Sequence, residues 1–250
     1  MRISGNTILI TGGATGIGFA LADAFLREGN EVVICGRREN KLLEAKRRLP
    51  QLIVKVCDVS DGDQRKSLFK SVTAEFETLN ILVNNAGIQR QLDLKKGEAD
   101  LRKGENEIRI NFEAPVYLSA LFIPHLIDRK ESAIINVSSG LAFVPLAIVP
   151  IYCATKAAIH SFSLSLRHQL AGTGVKVFEV IPPTVDTELD RGAREERGQK
   201  DRGIQPQEVA KATLKGIAND EFEIAIGMAQ NLRMASRTDP DKAFQQMNRH

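Results

Sequence analysis

Tyr152 and Lys156 stand four residues apart in Tyr152-Cys153-Ala154-Thr155-Lys156, at the start of a segment with helical patterning. Residues at i and i+4 share one helix face, so a phenol and an ammonium meet there in one place. A phenol ordinarily titrates near pH ~10, too high for proton transfer at neutral pH. A fixed ammonium beside it favours the phenolate and brings it toward the working range. Ser139 lies thirteen residues before Tyr152, at the end of an apolar run. Its hydroxyl can hold a substrate oxygen beside the phenol. The chemistry so assembled is general acid–base catalysis at an oxygen atom: a proton given to a carbonyl or taken from an alcohol.

A second constellation lies near the start of the chain. Thr7–Thr11 reads as a strand and runs into Thr11-Gly12-Gly13-Ala14-Thr15-Gly16-Ile17-Gly18. Helical spacing of Ile17, Leu21, Ala24 and Phe25 follows and stops at Gly29. Gly12 permits a tight turn, Gly16 lets the backbone approach a pyrophosphate, and Gly18 lets the helix pack closely on the sheet. Unpaired N–H groups at the helix start would then face the pyrophosphate, with Ala14, Thr15 and Ile17 around it. The pattern predicts a dinucleotide site, the alternative being a plain tight turn. The second strand ends Cys35-Gly36-Arg37-Arg38. Sites for NAD place an acid there for the ribose hydroxyls; here Gly36 takes its place and Arg37 follows. A guanidinium would pair with a 2′-phosphate, with Arg38 assisting, favouring NADP(H) over NAD(H) by about 10- to 100-fold. The alternative has both arginines capping the helix that begins near Glu39.

Alternating strands and helices must position these groups. Strands are expected at Thr7–Thr11, Glu31–Cys35, Leu52–Cys57, Ile81–Asn84, Ala133–Val137, Val175–Val180 and Glu223–Ile226. Most are apolar on both parities, the mark of central parallel strands covered on both faces. The expectation is α/β: a Rossmann-type, doubly wound parallel sheet of about seven strands in one domain spanning residues 1–250. Three stretches stand apart. Gln89 to Glu107 is polar and joins the fourth strand to a long helix. Asp186 to Gly203 has 11 charged residues of 18, too few apolar groups to offset ordering entropy, and is expected to be a mobile lid over the substrate. Asn231 to His250 reads as a polar tail.

With Asn84-Asn85-Ala86-Gly87 after the fourth strand, the TGxxxGxG turn and the Ser139/Tyr152/Lys156 set, the chain resembles the short-chain dehydrogenases/reductases in their short form. The likeness runs from about Ser4 to Thr187. The Pro182-Pro183 turn, Cys35-Gly36-Arg37-Arg38 and Gly227-Met228-Ala229-Gln230 resemble a DltE-like bacterial subgroup. The resemblance implies hydride transfer between a nicotinamide and a carbonyl/alcohol substrate, with Tyr152 as general acid/base and Ser139 on the substrate oxygen. It implies that Lys156 also reaches the nicotinamide ribose and that Asn111 completes the set through a water held against the lysine. Asn85, Ala86 and Gly87 would lie at a cofactor ribose, Asp58 and Val59 at the adenine, Val185 and Thr187 at the carboxamide and phosphates. Read alone, the Asn and Asp residues are equally turn formers. The family's usual Pro-Gly pair is Pro182-Pro183 here, so that wall of the nicotinamide pocket differs. A rival reading is an NADP(H)-sensing regulatory protein on the same frame, which would have no need of all four catalytic groups.

Composition removes other classes. With 43% apolar and 26% charged residues the chain is expected to be soluble and globular. A net charge of +3 gives no ground for a nucleic-acid partner. Ala133 to Tyr152 is broken by polar residues and prolines, so no membrane span is expected. Cys35, Cys57 and Cys153 show no paired spacing, which suits a reducing cytoplasm and no zinc site. His125, His160, His168 and His250 form no ligand pattern; they read as ordinary helix or surface residues, and no metal is expected. Two further expectations concern surfaces. The run 142–151, between Ser139 and Tyr152, should line a partly apolar substrate pocket, with plain core packing as the alternative. The helices Phe112–Ile127 and Tyr152–Leu170 carry more apolar residues than one buried face needs, including Tyr117, Leu121, Phe162 and Leu166. That excess, on helices the family pairs across a two-fold axis, implies a homodimer or homotetramer.

Overall fold

The structure, a computed structural model, describes residues 1–189 and 203–249. Five strands, β1 (Thr7–Thr11), β2 (Glu31–Gly36), β4 (Leu79–Asn84), β5 (Ser132–Val137) and β6 (Val175–Ile181), are buried along nearly their whole length. With β3 (Ile53–Val56) and β7 (Glu223–Ala225) at the edges they form one parallel sheet in the order β3-β2-β1-β4-β5-β6-β7. The alternation expected from the sequence is therefore present, with strand ends shifted by no more than two residues.

Side chains of alternate parity feed two cores. From β1, Ile8 and Ile10 pack with Leu21 and Phe25 of α1 (Gly16–Arg27), as does Leu42 of α2 (Glu39–Arg48). Leu9 points to the opposite face, toward Val72 of α3 (Gly62–Glu75). Between β4 and the next long helix, the polar stretch holds a single 3₁₀ turn (Leu94–Lys96) and the short α4 (Glu98–Leu101). A π-helical turn, Arg109–Glu113, then leads into α5 (Ala114–Ile127). Residues Arg109–Ile127 are long and apolar enough to cross a membrane. Leu118, Phe122 and Leu126 are nevertheless buried against the sheet, as in the core helix of a folded domain. Next come α6 (Pro150–Gln169) on this same face and α7 (Pro206–Ala218) beside α1 on the other.

Two segments bear on the site. Asn231 to His250, expected as a polar tail, is helical over most of its described length: α8 (Met228–Thr238) and α9 (Pro240–Met247) each bury one alanine, Ala229 and Ala243. Asn248 then ties the chain end to the 145–147 loop, accepting from the Ala147 N–H at 2.7 Å and donating to the Pro145 carbonyl at 3.1 Å. Of the expected lid, positions 190–202 lie outside the described residues. Its flanks are joined: Val185 and Ile204 form a parallel bridge, with Asp186 N–H donating to Ile204 O at 2.9 Å.

Candidate active site

The strand order reverses between β1 and β4, so their connections depart in opposite directions and leave a crevice at the carboxyl ends. The glycine turn forms one wall. Gly12 has φ +64°, a conformation that L side chains rarely adopt. A Cβ on Gly18 would stand 2.3 Å from the Gly12 carbonyl oxygen and 2.5 Å from Asn85 Nδ2, so α1 reaches its place only because that atom is missing. Asn85 in turn braces the loop: Nδ2 donates to Thr11 O at 2.9 Å, and Thr11 Oγ1 accepts from the N–H groups of Asn85 and Ala86, each at 3.0 Å. Asn84 turns inward instead and donates to Asn136 Oδ1 at 2.9 Å.

Thr15 stands at the N-cap of α1 without a side-chain capping bond, which leaves the first N–H groups without a side-chain partner. Gly12, Ala14, Thr15, Gly16 and Ile17 line a cleft of about 1640 Å³, as do Asp58, Val59, Asn85, Ala86, Gly87, Val185 and Thr187. An uncapped helix start, a backbone stripped of Cβ atoms and this volume fit a dinucleotide. Gly18, grouped with the cofactor residues from the sequence, sits beneath the turn and shapes it rather than lining the cleft. Asp58 uses Oδ1 locally, accepting from Ser60 N at 2.9 Å and Ser60 Oγ at 2.7 Å, so turn chemistry and a place on the cleft wall coexist.

At the end of β2, Arg37 and Arg38 line the same cleft and are exposed. Arg37 meets Glu105 through both terminal guanidinium nitrogens, Nη1 to Oε1 at 2.5 Å and Nη2 to Oε2 at 2.7 Å. Arg38 pairs with Glu188 at 3.5 Å. Arg38 stands at the N-cap of α2 but makes no side-chain capping bond there.

The catalytic groups expected from the sequence, Ser139, Tyr152 and Lys156, line the same cleft as the glycine turn. Tyr152 and Lys156 leave the first turns of α6 on one face, both line the cleft, and both are almost wholly shielded. Lys156 Nζ lies 5.6 Å from the Tyr152 ring centroid and donates to the Val137 carbonyl at 2.7 Å. Burial lowers its pKa from 10.5 to about 8, against an opposing influence from Glu179. Ser139 follows β5 at the cleft edge, its Oγ accepting from Leu141 N at 3.1 Å. Asn111 sits in the π-helical turn, where one extra residue redirects the helix. Its amide spans Ile88, accepting from its N–H and donating to its carbonyl, both at 2.9 Å, and donates to Thr155 Oγ1 at 3.2 Å. A Cβ on Gly87 would lie 3.4 Å from Asn111 Oδ1 and 3.7 Å from Lys156 Nζ, so both groups approach that glycine. Asn111 is behind the lysine rather than among the cleft-lining residues.

The apolar wall differs from the expectation. Of the run 142–151 only Leu146 lines the cleft; Val144 and Val149 are buried, and Phe143 packs edge-on against His160, 4.7 Å between centroids. Beside Leu146, the apolar lining includes Leu141, Met228, Leu232 and Met247. Three of these belong to the C-terminal helices. Their signal, a narrow apolar stripe in a polar background, is legible only once the helices are known to fold back. His160, read as an ordinary residue, pairs with the fully buried Glu179, and that acid in the middle of an apolar strand was a signal available in the sequence.

Residues 6–198 match the short chain dehydrogenase family. The chain is 52% identical over 248 residues to the uncharacterized oxidoreductase DltE of Bacillus subtilis strain 168, covering 99% of this chain and 98% of that one. A short chain dehydrogenase of Burkholderia cenocepacia J2315, solved in complex with NADP, superposes with a TM-score of 0.85 over 100% of both chains at 25% identity. A relative from Burkholderia phymatum, solved with NAD, shares the fold with a TM-score of 0.81 at 23% identity, over 90% of this chain and 89% of that one. By the family match and by close identity along its length, the chain belongs to the short-chain dehydrogenase/reductase family of oxidoreductases.

Proposed function

We propose that this protein interconverts a carbonyl compound and its alcohol with NADP(H) as the preferred cofactor. The observation that carries this reading is the convergence of Ser139, Tyr152 and Lys156 on the same cleft as the glycine turn. When bound, the nicotinamide supplies or takes up the hydride. Ser139 Oγ holds the substrate oxygen, and Tyr152 gives that oxygen a proton during reduction or removes one during oxidation. Lys156 favours the phenolate by its charge and would hold the nicotinamide ribose hydroxyls. Asn111, joined to Ile88 and Thr155, holds the region behind the lysine in register and would fix a water there. Gly12, Ala14, Thr15, Gly16 and Ile17 would cradle the pyrophosphate, with Asn85, Ala86, Gly87, Val185 and Thr187 along the rest of the dinucleotide and Asp58 and Val59 near the adenine.

The preference for NADP(H) rests on Arg37, with Arg38 in support. No acid stands at Gly36 itself, and Arg37 would bind a 2′-phosphate by exchanging its two-point pairing with the exposed Glu105 for one with the phosphate. NAD(H) would bind more weakly. The leucine and methionine wall suits a substrate with an apolar part, methionine adapting to its shape. One domain carries cofactor and substrate alike. The three free, buried thiols suit a cytoplasmic enzyme, acting as a homodimer or homotetramer through the outer faces of α5 and α6. Tyr117 and Leu164 are exposed on those faces; Leu166, expected there, is buried in the core. Following NADPH oxidation across ketones, aldehydes, sugars and acyl thioesters tests the reading. Turnover of at least one apolar carbonyl supports it, and NADPH binding with no turnover anywhere in the panel would favour a sensor.

A further inference from the structure

Glu179 occupies the middle of β6 between Phe178 and Val180 and is wholly buried. A carboxylate removed from water persists only when its oxygens are hydrogen-bonded and its charge is met. Both oxygens are engaged: Oε1 accepts from Ser138 Oγ at 2.5 Å, and Oε2 lies 2.7 Å from His160 Nδ1. Ser138 directly precedes Ser139, and His160 lies one turn beyond Lys156 on α6. A single acid thus ties the Ser139 end of β5 to the helix that carries Tyr152 and Lys156. The ring of His160 also rests on Phe143, in the loop between those two parts.

The same carboxylate acts on the lysine. Burial drives Lys156 toward the neutral amine, and the negative charge of Glu179 opposes that. Among the described residues, the titratable groups that face Lys156 are Tyr152 and, one turn on, His160 on its own helix, and Glu179 on β6. Its neighbours from the end of β5 and the π-helical turn, the Val137 carbonyl and Asn111, are neutral. We propose that Glu179 is a positioning residue for the reaction: clamped by Ser138 and His160, it is the buried counter-charge of Lys156 and the brace that sets Ser139 against Tyr152. This rests on the assignment of Tyr152 and Lys156 as the reacting pair.

The test uses the protein without cofactor or substrate, so it reads the counter-charge separately from the reaction. The lysine side chains are labelled with ¹³C at Cε, the Lys156 signal is identified by its loss in Lys156→Met, and its titration is followed by NMR. Glu179→Gln keeps the size and can still meet both partners while removing only the charge. The Lys156 midpoint, about 8 in the wild type, should move down by at least ~0.5 pH unit in Glu179→Gln. An unchanged midpoint in a folded variant would overturn the proposal. If Glu179→Gln does not fold alone, Lys156→Met/Glu179→Gln decides: recovery of the folded protein supports a charge pair, and no recovery contradicts it. Full turnover by Tyr152→Phe would instead remove the reaction assignment and leave the titration result standing.

Discussion

The Lys156 ammonium lies 5.6 Å from the centroid of the Tyr152 ring while donating its hydrogen bond to the Val137 carbonyl, 2.7 Å away. A backbone oxygen at the end of a central strand therefore fixes the charge, and the helix fixes the phenol relative to it. The field at the phenol is set before any ligand arrives, which is the condition for electrostatic preorganisation.

Burial of that ammonium has a consequence for stability. The folded pKa of Lys156 is about 8 against an ordinary 10.5, so between these values the unfolded chain binds more protons than the native one. Stability attributable to this residue accordingly rises with pH through that window. Urea unfolding of wild type and Lys156→Met at several pH values should give a stability difference that shifts toward the wild type between pH 8 and 10.5. A constant difference would mean that the lysine is not desolvated.

Gly18→Ala should destabilise the fold and the cofactor turn together. The added Cβ would fall 2.3 Å from a backbone oxygen, with no flexible side chain to yield there. A loss of ~1–3 kcal/mol in chemical denaturation is expected, accompanied by weaker NADPH binding. Unchanged stability would show that α1 can shift away from the turn without cost.

Arg37→Asp should reverse cofactor choice. The wild type should bind NADPH about 10- to 100-fold more tightly than NADH, equivalent to ~1.4–3 kcal/mol, and the acid should favour NADH. Fluorescence titration of both reduced cofactors measures this directly. Equal affinities in the wild type would remove Arg37 from the phosphate site.

Much of this molecule was legible in the sequence, for identifiable reasons. Central strand segments such as 8–10 and 133–135 are apolar on both parities, and glycines at 12 and 18 have no substitute in a turn this tight. Tyr152 and Lys156 are visible because helical spacing alone brings them together. What depends on distant segments meeting was not legible. Met228, Leu232 and Met247 reach the cleft only because α8 and α9 fold back over the 140–149 region, and no local pattern encodes that return. The partnership of Arg37 with Glu105 joins residues 68 apart in the chain. Leu166 and Leu164 are both apolar on one helix, and the choice of which faces the core was settled by the orientation of α6 on the sheet.

The outer surface of α5 and α6 should mediate self-association. Tyr117 is 56% exposed and Leu164 41% exposed, large apolar groups left uncovered by the chain itself. Sedimentation at micromolar concentration should find a dimer or tetramer, and Tyr117→Glu/Leu164→Glu should dissociate it. A monomeric wild type would contradict this.

The proposed reaction places the transferred proton on the Tyr152 hydroxyl, and one substitution isolates it. Tyr152→Phe retains the ring within the cleft wall and removes only the transferable hydrogen. Steady-state turnover with NADPH and the best carbonyl substrate of the panel should fall by a factor of ~100 or more, with NADPH affinity close to that of the wild type. Turnover within a few-fold of the wild type would contradict the account.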